Sequence, residues 1–141
     1  MATILLVEDS KFLRVATERV LTKAGFTVIS LGDGDEVWRI AANRLPDLIV
    51  LDMLLPKLSG PEVLRSLKKN VLTAHIPVVV CSGLSQKNEA KLLREGACAF
   101  VEKNLLLKDP EPLLEVIRTV LAKTPARSLA PDAACPEVEV P

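Results

Sequence analysis

Ile4-Leu5-Leu6-Val7-Glu8-Asp9-Ser10 decides how the rest of the chain is read. Four apolar residues in a row are too few for a buried helix, and the two acids end the run abruptly. Such a run suits a strand covered on both faces. The next segment has a different period: Phe12, Val15, Ala16, Arg19, Val20 and Lys23 recur at i, i+3 and i+4 spacing, and Gly25 closes that helix. The alternation repeats along the chain. Further short runs cover Thr27 to Leu31, Leu48 to Leu51, Val78 to Cys81 and Ala99 to Val101. Between them, Asp33-Gly34-Asp35-Glu36 places a capping acid three residues before a Glu and predicts a helix to about Arg44. Ser59-Gly60-Pro61-Glu62 is a second capping box, with Pro tolerated in the first turn. A helix is predicted over Gln86 to Glu95, ending at Gly96. Asp109-Pro110 opens another, with Leu113, Leu114, Ile117, Val120 and Leu121 as its buried stripe. The pattern is (βα) five times, an α/β domain with a parallel sheet sandwiched between helices.

From Thr124 to Pro141 the helical period stops and prolines accumulate, so residues 1–123 are expected to form the domain and 124–141 a flexible Pro/Ala-rich tail or linker stub. The 141 residues, 49% hydrophobic and 26% charged, suffice for one domain with a core. Eighteen basic residues balance eighteen acidic ones, which removes the electrostatic argument for direct nucleic-acid binding. Aromatics are 3% with no Tyr, so base-stacking platforms are not expected. Cys81, Cys98 and Cys135 form no CxxC pair and imply neither a disulfide framework nor a zinc knuckle. No apolar run approaches the roughly 20 residues of a membrane span. The start lacks the basic and small-residue features of a signal peptide, which makes the cytoplasm the expected location.

In an open α/β sheet, function collects at the carboxyl ends of the strands. Those ends carry Glu8-Asp9, Asp52, Ser82 and Lys103. Three carboxylates brought into one crevice repel one another, a cost that a cation removes. Hard oxygen donors suit Mg²⁺, which binds through a few carboxylates together with waters and phosphate. Lys103 adds a compact positive charge, and the Ser82 hydroxyl can bond phosphoryl oxygens. An exposed carboxylate, Mg²⁺, a Lys and a hydroxyl together point to phosphoryl transfer onto Asp52.

The stretches Ile4 to Ser10, Leu51-Asp52-Met53-Leu54-Leu55-Pro56-Lys57-Leu58-Ser59-Gly60, Val80-Cys81-Ser82-Gly83 and Phe100-Val101-Glu102-Lys103 resemble the CheY-like receiver domain of two-component response regulators. The resemblance covers about residues 2 to 123. It implies a flavodoxin-like, doubly wound three-layer sandwich with strand order 2-1-3-4-5. It further implies that Asp52 accepts a phosphoryl group from a histidine kinase or phosphotransfer protein. Mg²⁺ would be held by Glu8, Asp9, Asp52 and the Met53 carbonyl. Ser82 would move toward the phosphoryl group, Lys103 would pair with it, and the ring of Phe100 would change rotamer as the switch.

Three positions depart from the family pattern. Asn104 stands where a Pro, often preceded by a cis bond, usually follows the Lys. A cis bond without Pro costs roughly 3 to 4 kcal/mol. Leu54 and Leu84 stand two beyond Asp52 and Ser82, where the family tunes dephosphorylation, and neither can bond an attacking water. Slow hydrolysis is therefore expected.

Taken singly, each residue has a plainer reading. An Asp after a strand is ordinarily a loop carboxylate, Ser82 a turn residue and Phe100 a core filler. Their joint placement carries the functional reading. His75, before Ile76-Pro77, reads as a surface residue, Trp38 as packing and Cys81 as a buried strand residue. Other chemistries fail at named positions. A flavodoxin's phosphate would be repelled by Glu8-Asp9, and a haloacid-dehalogenase-type phosphatase needs an Asp where Leu54 stands. The P-loop motif GxxxxGK[ST] is absent.

The expected protein is a single-domain response regulator, catalysing only its own phosphorylation and dephosphorylation. Its output is a changed surface on the 86–95 helix, the last strand and the last helix, read by a downstream protein, without nucleic-acid binding or membrane insertion. A phosphorylation-independent scaffold and a receiver cut from a larger regulator are the alternatives. Lys87, Lys91, Arg94 and Glu102 fit a homodimer face or a solvated surface equally well.

Overall fold

A strand with apolar residues on both sides must be covered on both sides, and each strand here obeys that requirement within one sheet. β1 (Thr3–Val7), β2 (Thr27–Leu31), β3 (Leu48–Asp52), β4 (Val78–Ser82) and β5 (Ala99–Glu102) are all parallel. Their order is β2-β1-β3-β4-β5. The structure is a computed structural model and describes residues 2–34, 36–52, 60–82, 96–102 and 109–123. The helix predicted over 86–95 and the expected tail from 124 lie outside the described residues.

Among the described residues, four helices connect or follow the strands: α1 (Lys11–Lys23), α2 (Val37–Arg44), α3 (Gly60–Lys69) and α4 (Glu111–Lys123). Alternate residues of β1, β3 and β4 feed different cores. Leu5, Val7, Ile49, Leu51, Val78 and Val80 pack with Val37 and Ala41 of α2 and with Val63, Leu64 and Leu67 of α3. Ile4, Leu6, Leu48, Val50, Val79 and Cys81 pack with Leu21 of α1 and with Leu113, Leu114, Ile117 and Val120 of α4. The period of two along the strands thus yields two dry layers, and the domain is the expected flavodoxin-like α/β sandwich.

Local signals set most boundaries. Ser10 caps α1 by accepting the Leu13 N–H at 3.4 Å, and Gly25 ends the helix at a φ of 101° that other residues rarely adopt. At α4 the Asp109 carboxylate accepts the Glu111 N–H at 3.1 Å, as the Asp109-Pro110 opening predicts.

The structure corrects two expectations and selects the buried face of α1, which the sequence left open. The apolar stripe that reveals α1 is not the face it buries. Phe12 is 71% exposed, whereas Thr17 and Leu21 point into the core. Helix α2 starts at Val37, and its N-cap is Glu36, whose side chain makes no capping hydrogen bond, so Asp33 does not cap it. The shift lets the short helix place Val37 and Ala41, one turn apart, on the sheet. Trp38, expected to pack, is 39% exposed.

Candidate functional site

The chain reverses its direction of travel across the sheet at β1. It moves outward to β2 and then returns to place β3 on the other side. That switch point opens a crevice beyond the carboxyl ends of β1 and β3. Val7 and Leu51 are register partners there. The next residues, Glu8 just beyond β1 and Asp52 at the end of β3, therefore meet at the crevice, and Asp9 follows at its rim.

Glu8, Asp9 and Asp52 each offer a carboxylate oxygen within 4.8 Å of the other two. Glu8 and Asp52 are almost fully buried, at 5% and 2% exposure, and Asp9 is exposed. Two buried acids face to face are uncommon without a compensating cation or hydrogen bonds. Mg²⁺ binds oxygens at about 2.1 Å, so two ligands on opposite sides of it stand about 4.2 Å apart. The observed spacing fits such an ion after small side-chain adjustments, and Asp9 is the exposed member of the set. The donor set, oxygen only, has the chemistry of a hard divalent cation.

The loop that carries Glu8 is held from several directions. Its N–H donates to the Leu31 carbonyl at 3.0 Å, continuing the β1–β2 ladder by one step. Its carboxylate Oε2 accepts the Ser10 N–H at 3.2 Å. Its carbonyl oxygen accepts a hydrogen bond from Arg14 Nη1 at 2.8 Å. Asp52, by contrast, belongs to β3 itself and inherits its position from the ladder, in register with Cys81 of β4.

Of the residues expected at the site, Glu8, Asp9 and Asp52 are brought together. Ser82 is the last residue of β4 and Phe100 the second of β5, paired respectively with Glu102 and Val80, which puts Ser82 at the same end of the sheet as Asp52. Met53 and Lys103, with Leu54, Leu84 and Asn104, lie outside the described residues. Arg14 is the neighbour that sequence reading did not single out, because its contact with Glu8 arises only when α1 folds back over the β1 end.

Residues 4–118 match the family model of the response regulator receiver domain. The chain belongs to that family. This receiver is 32% identical over 131 residues to the phosphate regulon transcriptional regulatory protein PhoB of Pseudomonas aeruginosa. The match takes in 92% of the chain and 56% of PhoB, so the receiver spans little more than half of that relative's length. It is 30% identical over 102 residues to the polar-differentiation response regulator DivK of Brucella anthropi, covering 72% of the chain and 83% of DivK. Among solved structures, the response regulator domain of Thermotoga maritima CheB superposes with a TM-score of 0.79 at 29% identity, covering 89% of this chain and 99% of that one. A receiver is a signalling domain rather than a conventional enzyme. Among the described residues, no helix is long and apolar enough to cross a membrane.

Proposed function

We propose that this receiver is a phosphorylation-controlled switch of a two-component system, with Asp52 as its phosphoryl acceptor. The convergence of Glu8, Asp9 and Asp52 at the switch point carries the reading. A carboxylate oxygen of Asp52 attacks the phosphorus of a phosphohistidine on a sensor kinase or phosphotransfer protein. A new O–P bond forms, the N–P bond breaks, and the imidazole leaves with the electron pair. Mg²⁺, when bound, neutralises the charge that builds on the transferring group. Glu8, Asp9, Asp52 and the Met53 carbonyl are the residues that would hold it. Lys103 and the Ser82 hydroxyl bond the phosphoryl oxygens once they are on Asp52, and Phe100 carries the change to the surface formed by the 86–95 segment, β5 and α4. A downstream protein in the cytoplasm reads that surface, and the output needs neither nucleic acid nor membrane.

The test is incubation with acetyl phosphate or phosphoramidate and Mg²⁺, followed by intact mass. One phosphoryl adduct is expected on the wild-type chain and none on Asp52→Asn. An unmodified wild-type chain favours the phosphorylation-independent scaffold.

A further inference from the structure

We infer that Arg14 is a positioning residue for the metal-binding carboxylates, acting through the peptide plane that joins Glu8 to Asp9, with Gly32 leaving it the space to do so. The inference rests on the reading of Glu8, Asp9 and Asp52 as a cation site and adds to it the device that sets its aim. Glu8 is the first residue beyond β1, where the ladder that fixes a strand's backbone is about to end. Its N–H is held by Leu31, which leaves rotation about the following bonds to be fixed by something else. Arg14 Nη1 reaches back from the first turn of α1 and donates to the Glu8 carbonyl oxygen at 2.8 Å.

Because a peptide unit is planar, fixing that oxygen fixes the whole unit from the Glu8 Cα to the Asp9 Cα. Both carboxylates branch from the ends of this one plate. The guanidinium bond thus acts on two of the three acids at once, one buried and one at the rim, beside the Ser10 N–H that the Glu8 carboxylate accepts. Asp52 needs no equivalent, since it still belongs to β3 and is held in register with Cys81 of β4.

Gly32 supplies the independent observation. A Cβ built on Gly32 would lie 3.0 Å from Arg14 Nη1 and 3.7 Å from its Cζ. The guanidinium therefore occupies the volume that a side chain would take, pressed between the end of β2 and the β1–α1 turn. The backbone of Gly32 does not lie in the left-handed region, so alanine there is unstrained and acts only by displacing Arg14.

The experiment titrates Mg²⁺ into the wild-type chain, Arg14→Ala, Gly32→Ala and the double variant, following amide resonances, with thermal midpoints in EDTA as a measure of the fold. Outer contacts that orient metal ligands change affinity by about tenfold or more, and Arg14→Ala is expected to weaken Mg²⁺ by about that factor. Gly32→Ala is expected to weaken it by a smaller factor, and to have no further effect once Arg14 is absent. Arg14→Lys, which keeps the charge and one donor, should recover part of the affinity. Saturable Mg²⁺ binding that is the same in wild type and Arg14→Ala overturns the inference while leaving the cation site intact. So does a Gly32→Ala effect that is undiminished in the Arg14→Ala background. No saturable binding by the wild-type chain overturns the cation site itself, and the inference with it.

Discussion

Val7 and Leu51 sit opposite each other in adjacent parallel strands, and this one pairing decides that Glu8 and Asp52 share a crevice. A slip of one residue between β1 and β3 would turn every side chain of the slipped strand to the other face, so that Leu5 and Ile49 would no longer share a layer. The register of the acids is thus protected by the core beneath them. The cost of placing carboxylates together falls on a sheet whose central strands have almost no exposed apolar surface.

Asp52→Asn should make the metal-free protein more stable. Asp52 is buried beside Glu8, and removing one of two facing charges relieves a repulsion that burial leaves poorly screened. A gain on the order of 1 kcal/mol, or roughly 3 to 6 °C in thermal midpoint, is expected in EDTA. Mg²⁺ should then raise the midpoint of the wild type more than that of the variant, because binding only the folded state stabilises it by mass action. Paired thermal melts with EDTA and with Mg²⁺ check both signs; a variant less stable than wild type in EDTA contradicts the account.

Helix α1 offers a comparison within one element. Leu21 is fully buried and Phe12 is 71% exposed, although both belong to the same 13-residue helix. Leu21→Ala should cost about 2 to 5 kcal/mol through lost burial and a residual cavity. Phe12→Ala, despite the larger side chain, should stay within about 0.5 kcal/mol of wild type. Urea denaturation of the two variants decides it, and equal losses would show that Phe12 packs after all.

That comparison also marks what could be read from the sequence. The strands were legible to within a residue because Val, Ile and Leu in unbroken runs have few uses other than a doubly covered sheet. The acids were legible because strand ends in such a sheet point to one edge, so Glu8, Asp9 and Asp52 follow from strand assignment and order. The face of α1 was not legible. Periodicity locates a helix, but Phe12-Val15-Arg19 and Leu13-Thr17-Leu21 satisfy the same spacing, and only the neighbouring sheet selects between them. Nor was the start of α2, where Asp33 had better capping chemistry than Glu36, yet packing of Val37 and Ala41 determined the outcome. The Arg14–Glu8 bond depends on how one helix returns across one strand end, which no local pattern encodes.

Asp47 ties the other end of the sheet. Its carboxylate Oδ2 accepts the Thr3 N–H at 2.7 Å, and its own N–H donates to the Thr3 carbonyl at 2.8 Å. The pair closes the entry of β1 against β3, where Thr3 has no full ladder partner on that side. Asp47→Ala leaves the Thr3 N–H without that acceptor in a half-buried setting and should cost about 1 to 3 kcal/mol. Mg²⁺ affinity should not change, since the site lies at the opposite end of both strands. A loss of stability with unaltered Mg²⁺ binding is the expected pair of results, and a coupled loss of both would show that the two ends of the sheet are not independent.

The lifetime of the phosphoryl group is the last expectation, and it rests on side-chain chemistry rather than on geometry. Hydrolysis of an aspartyl phosphate needs a water in line with the O–P bond, and a hydrogen-bonding side chain close by holds that water in place. Leu54 and Leu84 flank Asp52 and Ser82 in the sequence at the positions that serve this purpose in the family, and both are aliphatic. They lie outside the described residues, but no rotamer of a leucine can donate or accept a hydrogen bond. With donor and phosphatase removed, the adduct on the wild-type chain is therefore expected to persist for minutes or longer. Leu54→Gln restores a group able to position water and should shorten the lifetime, by up to about a hundredfold if water placement is the limiting factor. Intact mass against time after desalting measures both decays. Loss of the wild-type adduct within seconds would mean that another group, or water ordered by the cation alone, performs the task that Leu54 and Leu84 cannot.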